Sequence, residues 1–306
     1  MRIIIAGLLI ALGHMSIAQN SSSFVFRVLA SKGVNHVKKA SDGNKVILRP
    51  GITLMQNDEI IASNGAYIGL MHRSGRTIEL RASGVTKITD LETQLANSRS
   101  SVASKYANYV LAKMSSDKGN DNYRANMKAT GAVERSVGSS ISAMLPASVS
   151  VLNSQNVVRW NSVGDDAYYI VSVRNIFDEE LLSAETTKPY IQLNLDDENL
   201  ADERLIILNI KVKDNPDLFS ADYGIERLGD EEKSEMEAQL TELKADVSGD
   251  TPLGKLVLAS YFEDNGLILD ALTQYENILE QAPDVEDFKM LYGEFLLRNG
   301  LSSVDE

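Results

Sequence analysis

From Phe24 to Asp90 the apolar positions come in short bursts, each closed by a glycine or a turn pair. Val46-Ile47-Leu48 stops at Arg49-Pro50-Gly51, and the run from Met55 to Ile61 stops at Ser63-Asn64-Gly65. Tyr67 to Met71 stops at Ser74-Gly75, and Thr77 to Leu80 stops at Ser83-Gly84. Strands of about four to seven residues at this spacing predict a meandering β-domain. The period then changes. Leu91, Leu95, Val102, Tyr106, Tyr109, Val110 and Met114 recur at helical spacing, which predicts one amphipathic helix over 90–114. Thr89 or Asp90 can cap it, and its apolar face is expected to pack back onto the β-domain. A coiled-coil seam would need more heptads than this segment offers. From Ser115 to Ser140 the periodicity is lost in Ser, Lys, Gly, Asp and Asn. That composition predicts a linker over 115–145.

Strand-like runs return after Pro146. They are 148–152, 157–160, 167–173, 181–182, 190–193 and 205–212, with turn signals between them. Such a series predicts a β-sandwich over 146–228. From 229 to 306 the pattern is helical. Asp230-Glu231-Glu232 opens one helix, and Thr251-Pro252 opens the next in N-cap, N1 order. Leu253 to Glu263 and Leu267 to Gln281 then form a helical hairpin around Asp264-Asn265-Gly266. The expected fold class is therefore multidomain, β plus α. Its parts are an N-terminal β-domain with its helix (24–114), the linker, the sandwich and a helical region.

Three resemblances attach to these segments. Leu48-Arg49-Pro50-Gly51-Ile52-Thr53-Leu54, Asp58-Glu59-Ile60-Ile61-Ala62-Ser63, Ala66-Tyr67-Ile68-Gly69-Leu70 and Gly75-Arg76-Thr77-Ile78-Glu79-Leu80 occur in that order. Together they resemble the FecR-like periplasmic domain, including its acidic D-x-I turn. Trp160 and Tyr169 resemble the core pair of fibronectin type III domains, a likeness of fold alone. Leu258, Ala259, Phe262, Ala271, Tyr275, Ile278 and Pro283 resemble a tetratricopeptide repeat. Phe288, Leu291, Tyr292 and Phe295 then begin a second repeat, although Lys255 stands where a large aromatic is usual. Two such hairpins at most are fewer than a free-standing solenoid needs, so the helical region is expected to lean on the sandwich, on the first helix or on a partner.

Composition changes this picture in two respects. Arg2, the apolar run from Ile3 to Gly13 and Ser16-Ile17-Ala18 predict a signal peptide over 1–18, too short to span a bilayer, the alternative being an uncleaved membrane anchor. The chain has no cysteine, so neither a lipid anchor nor a disulfide is expected. The reading is an exported protein, periplasmic or extracellular, without a transmembrane segment in the mature chain. FecR-like proteins of iron-uptake signalling carry a cytoplasmic anti-sigma segment and a transmembrane helix before the β-domain. No such segment is expected here, so direct control of a sigma factor is not inferred.

The second respect is charge. The net charge is −13, yet 19–145 holds 17 Lys and Arg against 9 Asp and Glu, whereas 146–306 holds 12 against 34. Arg49, Arg73, Arg76, Arg81 and Lys87 lie on or beside the predicted strand ends and form a candidate basic patch. The patch would face an anionic envelope polymer or lipid surface, or else the two halves dock on each other. Nucleic acid is not expected, because no basic stretch carries interleaved aromatics.

His36 and His72 stand at no ligand spacing, and His72 is expected as a solvated turn residue. The acidic runs Asp196-Asp197-Glu198 and Asp214 to Asp217 lack the spacing of a calcium loop, and no Gly-x-Ser-x-Gly elbow is present. No catalytic, cofactor or metal residues are assigned. The expected function is a non-enzymatic binding, scaffold or sensor module of the envelope, taking a protein partner through the helical region. The alternative is a carbohydrate-active or hydrolytic accessory enzyme with a carboxylate pair in a cleft.

Overall fold

The computed structural model describes residues 24–95, 101–114, 141–247 and 250–301. The expected export signal and the stretch 115–140 of the expected linker lie outside them. The described chain is β plus α, with several largely antiparallel sheets followed by a helical region.

The first module stacks two four-stranded sheets. One runs β4 (Thr53–Leu54), β1 (Phe26–Lys32), β6 (Tyr67–His72), β7 (Thr77–Leu80). The other runs β3 (Lys45–Ile47), β2 (His36–Lys38), β5 (Glu59–Ala62), β8 (Gly84–Lys87). Strand alternation sends Phe26, Val28, Ile68 and Leu70 from the first sheet into a core with Val37 and Ile60 from the second. A bulge between Val28 and Ala30 then shifts the register of β1 against β6. Leu29 and Ala30, with Tyr67 and Met71, consequently belong to a different core on the other face. The first sheet is thus covered on both faces, which is why β6 is buried at five consecutive positions.

The second module is a sandwich. Its large sheet runs β12 (Glu180–Thr186), β11 (Tyr169–Arg174), β14 (Leu205–Val212), β16 (Tyr223–Arg227), β9 (Ser148–Val151), with β15 (Asn215–Phe219) added to β14. The pair β10 (Gln155–Arg159) and β13 (Tyr190–Asn194) forms a separate two-stranded sheet. Trp160 and Tyr169 are both buried and meet edge to face at 5.3 Å. Residues 141–145, read from sequence as the end of the linker, are part of this module. Ile141 bridges Ser220, Ala143 bridges Trp160, and the Ala143 amide donates to the Tyr223 hydroxyl at 3.0 Å. Ile141, Ala143, Met144 and Leu145 are buried, so their apolar side chains belong to the sandwich core.

Four helices follow, α3 (Asp230–Asp246), α4 (Pro252–Asp264), α5 (Ile268–Gln281) and α6 (Glu286–Arg298). Thr251 caps α4 by accepting from the Gly254 amide at 3.1 Å, with Pro252 at the first position. Helix α4 is apolar nearly all round, as expected of a helix buried on every side. Its Leu253 seats against β6 at Gly69, where a Cβ would stand 3.3 Å from both Leu253 methyl carbons. Tyr67 meets Phe288 of α6 at 5.5 Å, and the Tyr261 hydroxyl donates to the Met236 carbonyl of α3. The helical region therefore leans on the first module, the sandwich and α3 together, within one continuous apolar core.

The helix expected over 90–114 is divided. α1 (Ile88–Thr93) places Ile88 and Leu91 in the core of the first module. α2 (Ser101–Met114) instead sends Ala103, Tyr106 and Val110 into the core shared with the helices. Tyr106 meets Tyr261 at 5.3 Å, and Lys105 pairs with Asp264 at 2.8 Å. The expected packing is met in part: the α1 portion packs back onto the β-domain, whereas α2 packs chiefly against α4.

Candidate functional site

The two-stranded sheet and the helices flank an open recess. In β10 and β13 alternate residues face inward, so Val157 and Arg159, paired with Gln192 and Tyr190, face the helices. Helix α5 is held against this face by its own side chains. The buried Asp270 carboxylate accepts from the Leu152 amide (2.9 Å), the Asn153 amide (2.9 Å) and Asn153 Nδ2 (2.6 Å). The Thr273 hydroxyl oxygen accepts from the Val157 amide at 2.9 Å. These ties bring Glu276, Asn277 and Glu280 to the edge of an open groove of about 520 Å³, with Tyr292 of α6 opposite.

The groove's centre is a hydrogen-bonded network. Arg159 donates to both oxygens of Glu276, at 2.6 and 2.7 Å, and the Tyr292 hydroxyl donates to Glu276 Oε1 at 2.5 Å. The Arg159 guanidinium also lies over the Tyr190 ring at 4.8 Å. Burial works against the Arg159 cation, but the Glu276 carboxylate outweighs it and raises the pKa. Burial, with the Glu276 charge beside it, pushes the Tyr292 phenol well above its ordinary value. Both oxygens of Glu276 are therefore engaged as acceptors, in a fixed ion pair rather than a free base. What the groove offers a ligand is tyrosine surface, two amides (Gln192 and Asn277) and the exposed Glu280 carboxylate.

Burial pushes Asp270 up to about 6, even though three donors favour its ionised form. None of Arg159, Tyr190, Asp270, Glu276 and Tyr292 is among the residues singled out from sequence as a candidate site. A usable signal existed only for Asp270, an acid beside Leu269 and Ala271 on the apolar face of α5.

The five residues of the expected basic patch are dispersed. Arg73 pairs with Glu92 at 2.9 Å, and Arg76 reaches Asp246 of α3 at 3.3 Å. Arg81 pairs with Glu79 at 3.1 Å and stacks over Tyr67 at 5.2 Å, beside another recess of about 170 Å³. Arg49 and Lys87 are exposed and belong to the other sheet, Lys87 on β8 and Arg49 two residues beyond β3. The two halves of opposite charge are docked. Lys32–Asp284, Arg76–Asp246 and Lys105–Asp264 cross between them. The Ser31 amide donates to Asp287, and the Leu253 amide to Glu79.

His72 is corrected from a solvated turn residue to a largely enclosed one. Its ring meets Phe26 edge to face at 5.2 Å, and Nδ1 lies 2.7 Å from the Ser74 hydroxyl. Burial, and then Arg73, lower its pKa, which favours the neutral ring. Among the described residues no cluster of His, Asp and Glu is gathered as a metal site. No helix among them is long and apolar enough to cross a membrane. No family model and no curated protein matches the chain.

Proposed function

We propose that this chain is an exported, non-enzymatic binding module of the cell envelope, whose ligand is a protein segment seated between sandwich and helical hairpin. The observation that carries this reading is the groove itself. Its volume lies in the range of ligand sites, and it mixes aromatic surface with a few amides held on rigid elements.

The resemblances support the modular reading. The sheet order β12-β11-β14-β16 opposite β10–β13, with the buried pair Trp160 and Tyr169, is compatible with the resemblance to a fibronectin-like sandwich. The α4–α5 hairpin buries Ala259, Phe262, Ala271, Tyr275 and Ile278, as a tetratricopeptide-like pair does. In the first module, which resembles a FecR-like domain in sequence, Asp58 of the D-x-I turn is buried, accepts from the Met55 and Ala40 amides, and pairs with Lys39 at 2.9 Å. That acidic position is a turn clamp, so the likeness carries fold, and the function rests on the groove.

A hydrolytic reading would need a free carboxylate pair in the groove. Glu276 is committed to Arg159 and Tyr292, which leaves Glu280 alone. The test is capture from envelope extract by the mature chain, beside a Tyr190→Ala, Gln192→Ala double variant. A partner retained by the first and lost by the second is expected. Equal recovery from both would reject the groove, and turnover of a glycan substrate abolished by Glu280→Gln would establish the enzyme instead.

A further inference from the structure

Two exposed apolar features lie away from the groove, one in each β module. The first is the turn between β11 and β12. Ile176 is 61% exposed and Phe177 is 76% exposed, yet the turn beneath them is tightly built. Asn175 is buried; its Oδ1 accepts from the Phe177 and Glu179 amides at 2.9 and 3.1 Å, and its Nδ2 donates to Glu179 at 2.8 Å. Asp178 takes a left-handed φ of 69° and is held by Arg174 at 2.8 Å, while Arg174 also binds Asp222. A non-glycine residue in that region costs of order 1 kcal/mol or more, and it persists only where its surroundings impose it. This scaffold holds an isoleucine and a phenylalanine out in water, flanked by Asp178, Glu179 and Glu180, all exposed.

The second feature is the outer face of the β3-β2-β5-β8 sheet. Val37 and Ile60 point into the core, so His36 and Ile61 point outward. The register lines up Ile47, His36, Ile61 and Val85 in one row across the four strands. Ile47 is 46% exposed and Val85 is 65% exposed. The next outward row is Lys45, Lys38, Glu59 and Lys87, in which only Lys38 is paired with Glu59, at 3.2 Å. The exposed Arg49 lies beyond the apolar row. An apolar stripe bordered by cations thus faces water on one module, and an apolar tip bordered by carboxylates on the other. Both are exposed within one molecule, so they do not cover each other.

We propose that the Ile176–Phe177 turn of one copy docks on the outer face of the β3-β2-β5-β8 sheet of a second copy. The contact joins different surfaces, so wherever it is not reciprocated across a two-fold axis it propagates head to tail into open chains or rings. Complementary charge sets the pairing and makes it salt-dependent. This inference is independent of the groove, which neither surface includes.

The test is sedimentation velocity of the full mature chain at low ionic strength. Three proteins are compared: wild type, Phe177→Ser, and a Lys45→Glu, Lys87→Glu double variant. Wild type is expected to grow in mass with concentration and to return to monomer in high salt. Each variant alone should be monomeric, with at least a tenfold weaker apparent association and an unchanged circular-dichroism spectrum. An equimolar mixture of the two variants should form a 1:1 dimer and stop there, because one retains the sheet face and the other the turn. A monomeric wild type at low salt would overturn the proposal, as would association that survives in both variants. So would a mixture that stays monomeric. Sedimentation of monomeric wild type with anionic phosphatidylglycerol vesicles, lost in the lysine variant, would assign the sheet face to lipid instead.

Discussion

Asp270 gives the most quantitative test of how the helical region is joined to the sandwich. Its carboxylate is fully buried and holds three donors from Leu152 and Asn153. Truncation to alanine strands the buried Leu152 amide, at about 1–3 kcal/mol, and removes two further bonds of about 0.5–1.5 kcal/mol each. Working against that loss is the cost of a buried charge. The folded carboxyl titrates near 6 and the unfolded one near 3.8. The folded state therefore keeps its proton to higher pH than the unfolded state. The stability this confers is complete below about pH 4 and is lost as pH rises through 6. Integrating between those limits, the group removes about 2 kcal/mol from the wild type between pH 4 and pH 7. Asp270→Asn keeps one acceptor oxygen and cannot titrate. The stability advantage of wild type over Asp270→Asn should thus shrink by about 2 kcal/mol across that range. Asp270→Ala should cost more at pH 4.5 than at pH 7. Urea unfolding followed by tryptophan fluorescence is the assay, because Trp160 is the one tryptophan of the chain and is buried in the sandwich. A difference that stays flat with pH, or an Asp270→Ala variant as stable as wild type at pH 4.5, would refute the tie.

Trp160→Ala should destabilise by about 3–5 kcal/mol, as truncation of a buried aromatic does. The core that holds Trp160 runs on through the helices, so circular dichroism should show helix and sheet lost in one transition; separate transitions would show independent modules. Gly69→Val should cost about 1–3 kcal/mol by pushing its branched side chain into Leu253. The double variant with Leu253→Ala should recover part of that loss, and strictly additive costs in chemical denaturation would separate the two residues.

Periodicity and turn chemistry located most of the elements, though not β15, β16 or the break in the 90–114 helix. The glycine-punctuated bursts of 24–90 became two small sheets, the runs after 146 became the sandwich strands, and Thr251-Pro252 opened a helix at the expected residue. These are local facts, decided by side-chain alternation and by which residues tolerate a turn or a cap. The charge asymmetry was also legible, and so was the possibility that the halves dock. Which carboxylate each arginine meets was not, because Arg76 and Asp246, or Lys32 and Asp284, are remote in sequence and adjacent only after folding. The division of the 90–114 helix was hidden for a related reason. A helical period shows that one face is apolar but does not name what it covers, and Tyr106 is covered by Tyr261 of a helix some 150 residues away. The groove lay beyond reach altogether. Arg159, Tyr190, Glu276 and Tyr292 come from two strands and two helices, each an ordinary surface residue in its own element. Only the seating of α5 on β10, through Asp270 and Thr273, turns those four into neighbours.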